Sequence, residues 1–202
     1  MDKNAMFKLS YGLFVLTTRT DNKDYGCIIN TAQQVADNPL TITIAVNKNN
    51  YTHDMILKSG VFNVSILSQN APFDIFKRFG FASGRDTDKL DGFDDYERGE
   101  NDVIFITKYA NSYLCAKVKS TVDLGSHTLF VAELTDGVVM SSAPSMTYEY
   151  YHANVKPKPA ESGTKKGYRC RVCGYVHEGE ELPEDFICPI CKHDASYFDK
   201  IQ

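Results

Sequence analysis

The fold class is decided by the stretch Tyr113-Leu-Cys-Ala-Lys-Val-Lys-Ser-Thr-Val122, which leads through Asp123-Leu-Gly125 into His127-Thr-Leu-Phe-Val-Ala-Glu-Leu-Thr135. In its first part, the residues at even positions from Leu114 onward are mostly apolar, and they alternate with tyrosine, cysteine and two lysines. A period of two is typical of a β-strand with one buried face. The Asp-Leu-Gly sequence is a turn signal. We therefore predict two strands separated by a turn.

The same pattern extends along most of the chain. Turn residues punctuate it at Asp21-Asn22, at Asp37-Asn38-Pro39 and at Asp136-Gly137. Further strands are predicted at Gly12–Arg19, Tyr25–Ala32, Leu40–Val46, Val61–Leu67 and Val103–Thr107, and helices at Thr52–Ser59 and Pro72–Phe79. Many strands with few helices indicate a mainly β barrel or sandwich, and argue against a doubly wound α/β sheet.

Composition excludes several classes of protein. The chain has 202 residues, of which 43% are hydrophobic and 24% charged, and this is a globular composition. A formal net charge of −4 gives no general affinity for nucleic acid or anionic lipid. No apolar run is long enough to span a membrane, and residues 1–8 lack the apolar core of a signal peptide. We expect a cytoplasmic protein with no nucleic-acid or membrane partner.

The chain divides near its C-terminus. Residues 153–167 are rich in lysine, proline and glycine and contain no large apolar group, so they are predicted to form a flexible linker. This interpretation gives a main domain over residues 1–152 and a small acidic module over residues 168–202.

The small module contains four of the six cysteines, in two Cys-x-x-Cys pairs: Cys170, Cys173, Cys188 and Cys191. Two such pairs supply a tetrahedral set of sulfur ligands, which suits zinc or a single iron ion. A module of this size needs such a cross-link to be stable. The ligands alone leave iron and zinc open. The two remaining cysteines, Cys27 and Cys115, are interpreted as packed strand residues.

The small module resembles rubredoxin, in the short form that is attached to rubrerythrin-type proteins. The resemblance rests on Cys170-Arg-Val-Cys-Gly-Tyr175, on Pro183 and Phe186, on Cys188-Pro-Ile-Cys191 and on Phe198. It implies one iron ion bound by the four cysteines, with a structural zinc ribbon as the alternative.

The main domain has neither G-x-G-x-x-G nor a P-loop sequence, so no Rossmann site and no P-loop site is indicated. Lys48 and the Asn50-Tyr51-Thr52 turn precede a predicted helix. The amides at a helix N-terminus attract phosphate, although most polar helix starts are simple caps.

The main domain resembles the flavin reductase-like family over roughly residues 5–152. The matching segments are Phe7–Thr18, Cys27–Val35 with Asn38-Pro39, Lys48 to His53, Phe62–Leu67, Ser83–Leu90 and Ser126–Val131. The resemblance implies an FMN-binding split barrel, which is a Greek-key β-barrel with a few helices, and a homodimer. The two modules together resemble the high-molecular-weight rubredoxins of clostridia.

The same resemblance implies a set of flavin-binding residues. Around the isoalloxazine ring these are Asn30, Thr31 and Gln33, and around the phosphate they are Asn47, Lys48, Asn50 and Thr52, with Ser83 and Lys89 closing over it. His127 is expected near flavin or nicotinamide as the catalytic residue, or else as a structural histidine at a strand start. Tyr148 and Tyr151 are expected either to cover the flavin or nicotinamide or to take part in core or dimer packing.

The resemblance implies an electron-transfer oxidoreductase. NADH or NADPH reduces FMN, and single electrons pass to the iron centre and then to a protein acceptor such as a flavodiiron-type oxygen or nitric oxide reductase. A flavin reductase that supplies free reduced FMN and carries a zinc-bound tail is the first alternative. A non-catalytic module that binds FMN or metal and docks partners is the second.

Overall fold

The structure is a computed structural model that describes residue 5 and residues 8–157, 167–171, 175–188 and 194–201. The chain over these residues is mainly β, as the sequence predicts. The strands are β1 (Phe14–Thr20), β2 (Lys23–Ile29), β3 (Gln33–Asp37), β4 (Leu40–Asn47), β5 (Val61–Leu67), β6 (Tyr96–Arg98), β7 (Ile104–Ile106), β8 (Ala110–Asp123), β9 (His127–Val139), β10 (Gly167–Cys170), β11 (Val176–Glu178) and β12 (Phe198–Ile201). The helices are α1 (Tyr51–Ser59), α2 (Phe73–Gly80) and α3 (Tyr148–Tyr150), with a π-helical turn at Tyr151–Val155 and a 3₁₀ turn at Ala195–Tyr197.

Seven antiparallel strands form the main sheet, in the order β2-β1-β5-β8-β9-β4-β3. Its two edge strands, β2 and β3, are joined only by residues 30–32. A flat sheet of seven strands would separate its edges by about 29 Å. Three connecting residues span at most about 14 Å, so the sheet must curl until its edges approach each other, as in a split barrel.

The interior of this curled sheet is one apolar cluster. Side chains from strands that are distant in the sheet order pack together there, among them Leu16 of β1, Ile44 of β4 and Phe62 of β5, and Ile56 of α1 closes one end. The opposite face of β1 is also buried, since Val15 packs with α2 in a second cluster. Val155 packs against this second cluster as well, so the contacts of the main module continue beyond residue 152.

Two predicted turns are found where the sequence indicated them. Asp21 and Asn22 have φ angles of 52° and 60°, and they join β1 to β2. This left-handed conformation is the one that a two-residue hairpin with a type I′ turn requires. The Asn38-Pro39 pair likewise joins β3 to β4.

Two other predictions were wrong. The strand predicted at Tyr25–Ala32 ends at Ile29, and the chain then forms the unpredicted edge strand β3, whose residues are all exposed. The turn predicted at Asp136-Gly137 is absent, because β9 continues to Val139. Cys115 pairs with Asp136 and Ala116 pairs with Leu134, so the register shift beside this pair leaves one extra residue, Thr135, in β9.

The C-terminal module forms a three-stranded sheet in the order β11-β10-β12. Much of the predicted linker, residues 158–166, lies outside the described residues, as do Cys173 and Cys191. Within the described part of the chain, no helix has the length and apolar character needed to cross a bilayer.

Candidate functional site

A cavity of about 480 Å³ is walled by both the main module and the C-terminal module. This volume falls within the range of roughly 300–1,000 Å³ that is typical of small-molecule and cofactor sites. The main module contributes residues from β2, from the turn before α1, and from the end of α2 and the segment after it. The C-terminal module contributes Ile187, Asp194 and Tyr197.

The N-terminus of α1 borders this cavity through Asn47, Asn49, Asn50 and Tyr51. The turn is held by its own side chains: the amide of Asn49 donates to Asn47 Oδ1 at 2.9 Å, and the amide of Thr52 donates to Asn50 Oδ1 at 3.3 Å. The helix dipole and the first amides give such a terminus a positive character. An anionic group is therefore favoured at this end of the cavity.

Lys89 is the one cation among the described residues that line the cavity. Its side chain is 8% exposed, and its Nζ donates to the carbonyls of Gly26 and Phe79 at 2.9 and 2.8 Å. An ammonium group has three donors, so one N–H remains beyond these two backbone bonds. Burial lowers the pKa of Lys89, and the nearby Cys27 partly opposes that shift.

The thiol of Cys27 is buried beside this lysine. Burial raises its pKa, while Lys89 and the side chains of Thr52 and Asn50 act in the opposite direction. A thiol with a raised pKa is protonated at neutral pH and is a poor nucleophile. Cys27 is thus a packed strand residue, and Cys115, which is 0% exposed, is equally enclosed.

Four of the predicted flavin-binding residues line this cavity together: Asn47, Asn50, Ser83 and Lys89. Thr52 is buried beneath it, next to Cys27. Lys48 does not line the cavity, and its Nζ lies 2.7 Å from Asp123 Oδ1 in a surface ion pair.

The residues predicted around the isoalloxazine ring lie elsewhere. Asn30 and Thr31 belong to the short connection between the edge strands, where the Thr31 hydroxyl donates to the carbonyl of Ala45 at 2.7 Å. Gln33 begins the exposed strand β3. None of the three lines the cavity.

A second cavity of about 470 Å³ lies beside the first, and the two share Ile28, Gly80, Phe81 and Tyr197. The predicted residues Tyr148 and Tyr151 line it, together with Leu13, Phe76, His152, Lys156 and Arg171. The ring of Tyr151 also packs on Phe76 with a centroid distance of 4.4 Å. These tyrosines therefore combine core packing with a place in a cavity wall.

His127, the predicted catalytic residue, begins β9 and borders neither cavity. Its Nδ1 lies 2.9 Å from the hydroxyl of Ser126. The histidine with the more extensive contacts is His53, to which the sequence analysis gave no role. Its Nδ1 lies 2.9 Å from Asp54 Oδ1, and its Nε2 lies 2.8 Å from the hydroxyl of Thr128, so that it ties α1 to β9.

Two of the four predicted metal ligands, Cys170 and Cys188, belong to the described residues. Cys170 and Cys188 are 1% and 0% exposed and belong to one cluster, against which Tyr175, Phe198 and Phe81 pack. Two buried thiols within an apolar shell fit a metal bound by thiolates. The described segments contain no group of three or more His, Cys, Asp or Glu side chains placed to hold a metal ion, and the other two predicted ligands lie outside them.

Several wall residues were not found by sequence reasoning, chiefly Phe81, Ile187 and Tyr197. Ile187 directly precedes the predicted ligand Cys188, so the sequence alone places it near the predicted metal site. No pattern indicates that the main module faces it.

Comparison with known families agrees with this architecture. Residues 6–158 match the flavin reductase like domain, and residues 168–199 match the rubrerythrin, rubredoxin-like domain. The chain therefore belongs to the flavin reductase-like family and carries a rubredoxin-like domain at its C-terminus.

Individual relatives extend the likeness to the whole chain. The high molecular weight rubredoxin of Moorella thermoacetica is 33% identical over an alignment that covers 100% of both chains. The ferric-chelate reductase (NAD(P)H) of Archaeoglobus fulgidus is 37% identical and covers 81% of this chain and 96% of its own. Among solved structures, the Streptomyces globisporus C-1027 NADH:FAD oxidoreductase SgcE6 has a TM-score of 0.64 at 21% identity, covering 72% of this chain and 85% of that one.

The chain is thus a flavin reductase-like oxidoreductase fused to a rubredoxin-like domain. The two families support a flavin and an iron centre, with a nucleotide and a protein as electron partners.

Proposed function

We propose that this chain carries electrons from NADH or NADPH, through FMN, to an iron ion bound by Cys170, Cys173, Cys188 and Cys191, and then to a separate protein. The observation that carries the proposal is the composite cavity. Its walls come from the flavin reductase-like module and from Ile187 and Tyr197 of the rubredoxin-like module. A flavin in this cavity borders the residue that precedes a metal ligand.

The two groups together would convert a two-electron transfer into one-electron transfers. A bound flavin would accept a hydride from a pyridine nucleotide and release its electrons singly, and an iron ion bound by thiolates would accept them one at a time. The protein's part is to bind and orient. The N-terminus of α1 and the ammonium of Lys89 supply positive charge for the phosphate of a flavin nucleotide. Phe81, Tyr175 and Phe198 pack against Cys170 and Cys188 and would limit the access of water to the metal.

The acceptor we propose is a flavodiiron-type oxygen or nitric oxide reductase in the cytoplasm. We also propose a homodimer. In support of a dimer, strands β3, β4, β8 and β9 expose large apolar side chains, among them Val35, Leu40, Val122 and Val139. Exposed apolar surface of this kind marks association sites.

The test is the visible absorption spectrum of the purified protein during anaerobic addition of NADH. We expect thiolate-to-iron charge-transfer bands beside flavin bands, and both sets should bleach. Flavin bands alone, with zinc found by elemental analysis, would instead identify a reductase that releases reduced flavin.

A Cys170→Ser variant tests the order of electron flow. It should lose the iron bands and keep the bleaching of flavin by NADH, because Cys170 belongs to the metal module. Loss of flavin reduction in a folded variant would contradict this order. A protein that oxidises neither nucleotide would be a binding module.

A further inference from the structure

One aromatic residue of the main module contacts both the cavity and the metal cluster. Phe81 directly follows α2, and it packs against the cluster of Cys170 and Cys188. It also lines both cavities. On its other side lies Phe73, whose ring centroid is 5.7 Å away, so the position of Phe81 is supported from its own module.

The C-terminal module presents two large apolar side chains at the same place. Ile187 lines the first cavity, and Tyr197 lines both. They are 51% and 41% exposed, which is high for apolar residues between two packed modules. They remain accessible because the space that they face is open, so a ligand in the first cavity would meet Ile187 and Tyr197 on one side and the barrel on the other.

Polar contacts accompany this apolar one. Lys156 Nζ donates to the carbonyl of Arg171 at 3.3 Å, next to Cys170. In the first cavity, Lys89 of the main module and Asp194 of the C-terminal module both line the wall. The apolar contact is thus accompanied by a hydrogen bond between the modules and by oppositely charged residues in the wall of one cavity.

We propose that Phe81, Ile187 and Tyr197 form the docking surface through which the metal module takes electrons from the cavity of its own chain. This inference rests on the proposed function. The rate of electron transfer falls steeply with distance, and Phe81 of the barrel contacts both the cavity and the cluster of Cys170 and Cys188. One nucleotide reduces two Fe(III) centres to Fe(II) and releases one proton, because a hydride brings two electrons and each centre takes one.

The first measurement concerns docking alone, in protein that carries no flavin. High-spin Fe(III) broadens the NMR signals of nearby groups, so the methyl signals of Ile28, which lines both cavities, should be broader in the iron-loaded protein than in the zinc-loaded protein. Phe81→Ala should restore their sharpness and Phe81→Leu should do so in part. Tyr109→Ala, a partly buried aromatic residue that lines neither cavity, should not.

The second measurement follows flavin and iron bleaching after rapid mixing with NADH. In Phe81→Ala, the ratio of the iron rate to the flavin rate should fall by about tenfold, which corresponds to the low end of the contribution of a phenylalanine side chain because Phe81 is only partly buried. The ratio should be unchanged in Tyr109→Ala and independent of protein concentration. A wild-type ratio and unaltered broadening in Phe81→Ala would overturn the docking surface, as would an iron rate that rises with protein concentration.

Failure of the proposed function has a different signature. If the flavin of the wild-type protein bleaches while its iron bands persist, the internal relay is wrong whatever Phe81 does, and the electron-accepting role of this surface is wrong with it.

Discussion

Replacing Lys89 with methionine removes the one cation found among the described residues of the cavity wall. Methionine retains an unbranched apolar side chain of similar length, so the change acts mainly on charge and hydrogen bonding. Two of the three ammonium donors are committed to the carbonyls of Gly26 and Phe79. The third is the donor that we expect a flavin phosphate or ring oxygen to use.

The expected effect follows from the loss of one charge-assisted hydrogen bond, which contributes about 1.5–3 kcal/mol. The dissociation constant for FMN should therefore rise by about ten- to hundredfold. Stability should change less, because two effects oppose each other. The two carbonyls lose their donor, while the folded state no longer pays to bury an ammonium group.

The assay is calorimetric titration of flavin-free protein with FMN at one fixed ionic strength. Lys58→Met is the matched control, since Lys58 is exposed near the opposite end of α1 and pairs with Asp21. It should bind FMN as the wild type does. If Lys89→Met binds FMN within about threefold of the wild type while remaining folded, this cavity is not the phosphate-bearing flavin site.

Three further predictions concern stability. Because burial lowers the pKa of Lys89, the unfolded chain holds this proton more tightly than the folded chain does. The free energy of unfolding should therefore rise with pH between the lowered pKa of the folded protein and the ordinary value of 10.5. Urea titrations across that range should show a shallower rise for Lys89→Met than for the wild type, and parallel curves would contradict the assignment. Asn50→Ala removes the cap of α1 and should cost about 1 kcal/mol in chemical denaturation; an unchanged midpoint would mean that the cap is dispensable. Gly99→Ala would place a Cβ 2.5 Å from Cys115 Sγ and 3.0 Å from Asn63 Nδ2, and both of these residues have no exposed surface. The substitution should therefore lower the free energy of unfolding by about 1–3 kcal/mol. A melting temperature equal to that of the wild type would show that these neighbours can move.

The parts of the fold that local chemistry determines could be predicted from the sequence. Asp21 and Asn22 tolerate the left-handed backbone of a tight hairpin, and the turn is found there. Strand β3 could not be predicted in this way, since its residues are exposed and mostly polar, and it forms by pairing with β4. The Asp136-Gly137 pair has the composition of a turn, but its long-range partner β8 keeps it extended.

In the candidate site, too, the features set by local sequence could be predicted and those set by long-range contacts could not. Two Cys-x-x-Cys pairs indicate a metal site because the ligand geometry within each pair is local. The cavity depends on contacts that no spacing encodes: Lys89 reaches a carbonyl 63 positions earlier in the chain, and Phe81 meets cysteines of a separate module. The surface ion pair between Lys48 and Asp123 could not be predicted from the sequence either, because the two residues are 75 positions apart.

The composite cavity also gives a physical reason for joining the two modules in one chain. A contact built on Phe81, Ile187 and Tyr197 is far smaller than the area that a stable complex between separate proteins buries. Tethering raises the effective concentration of the metal module to about the millimolar range, at which such a weak contact is populated. In the proposed relay, the same weakness would let the module leave the cavity once it is reduced, so that its metal could meet the external acceptor. A tighter interface would speed the first transfer and obstruct the second, and the small docking surface fits a carrier that must do both.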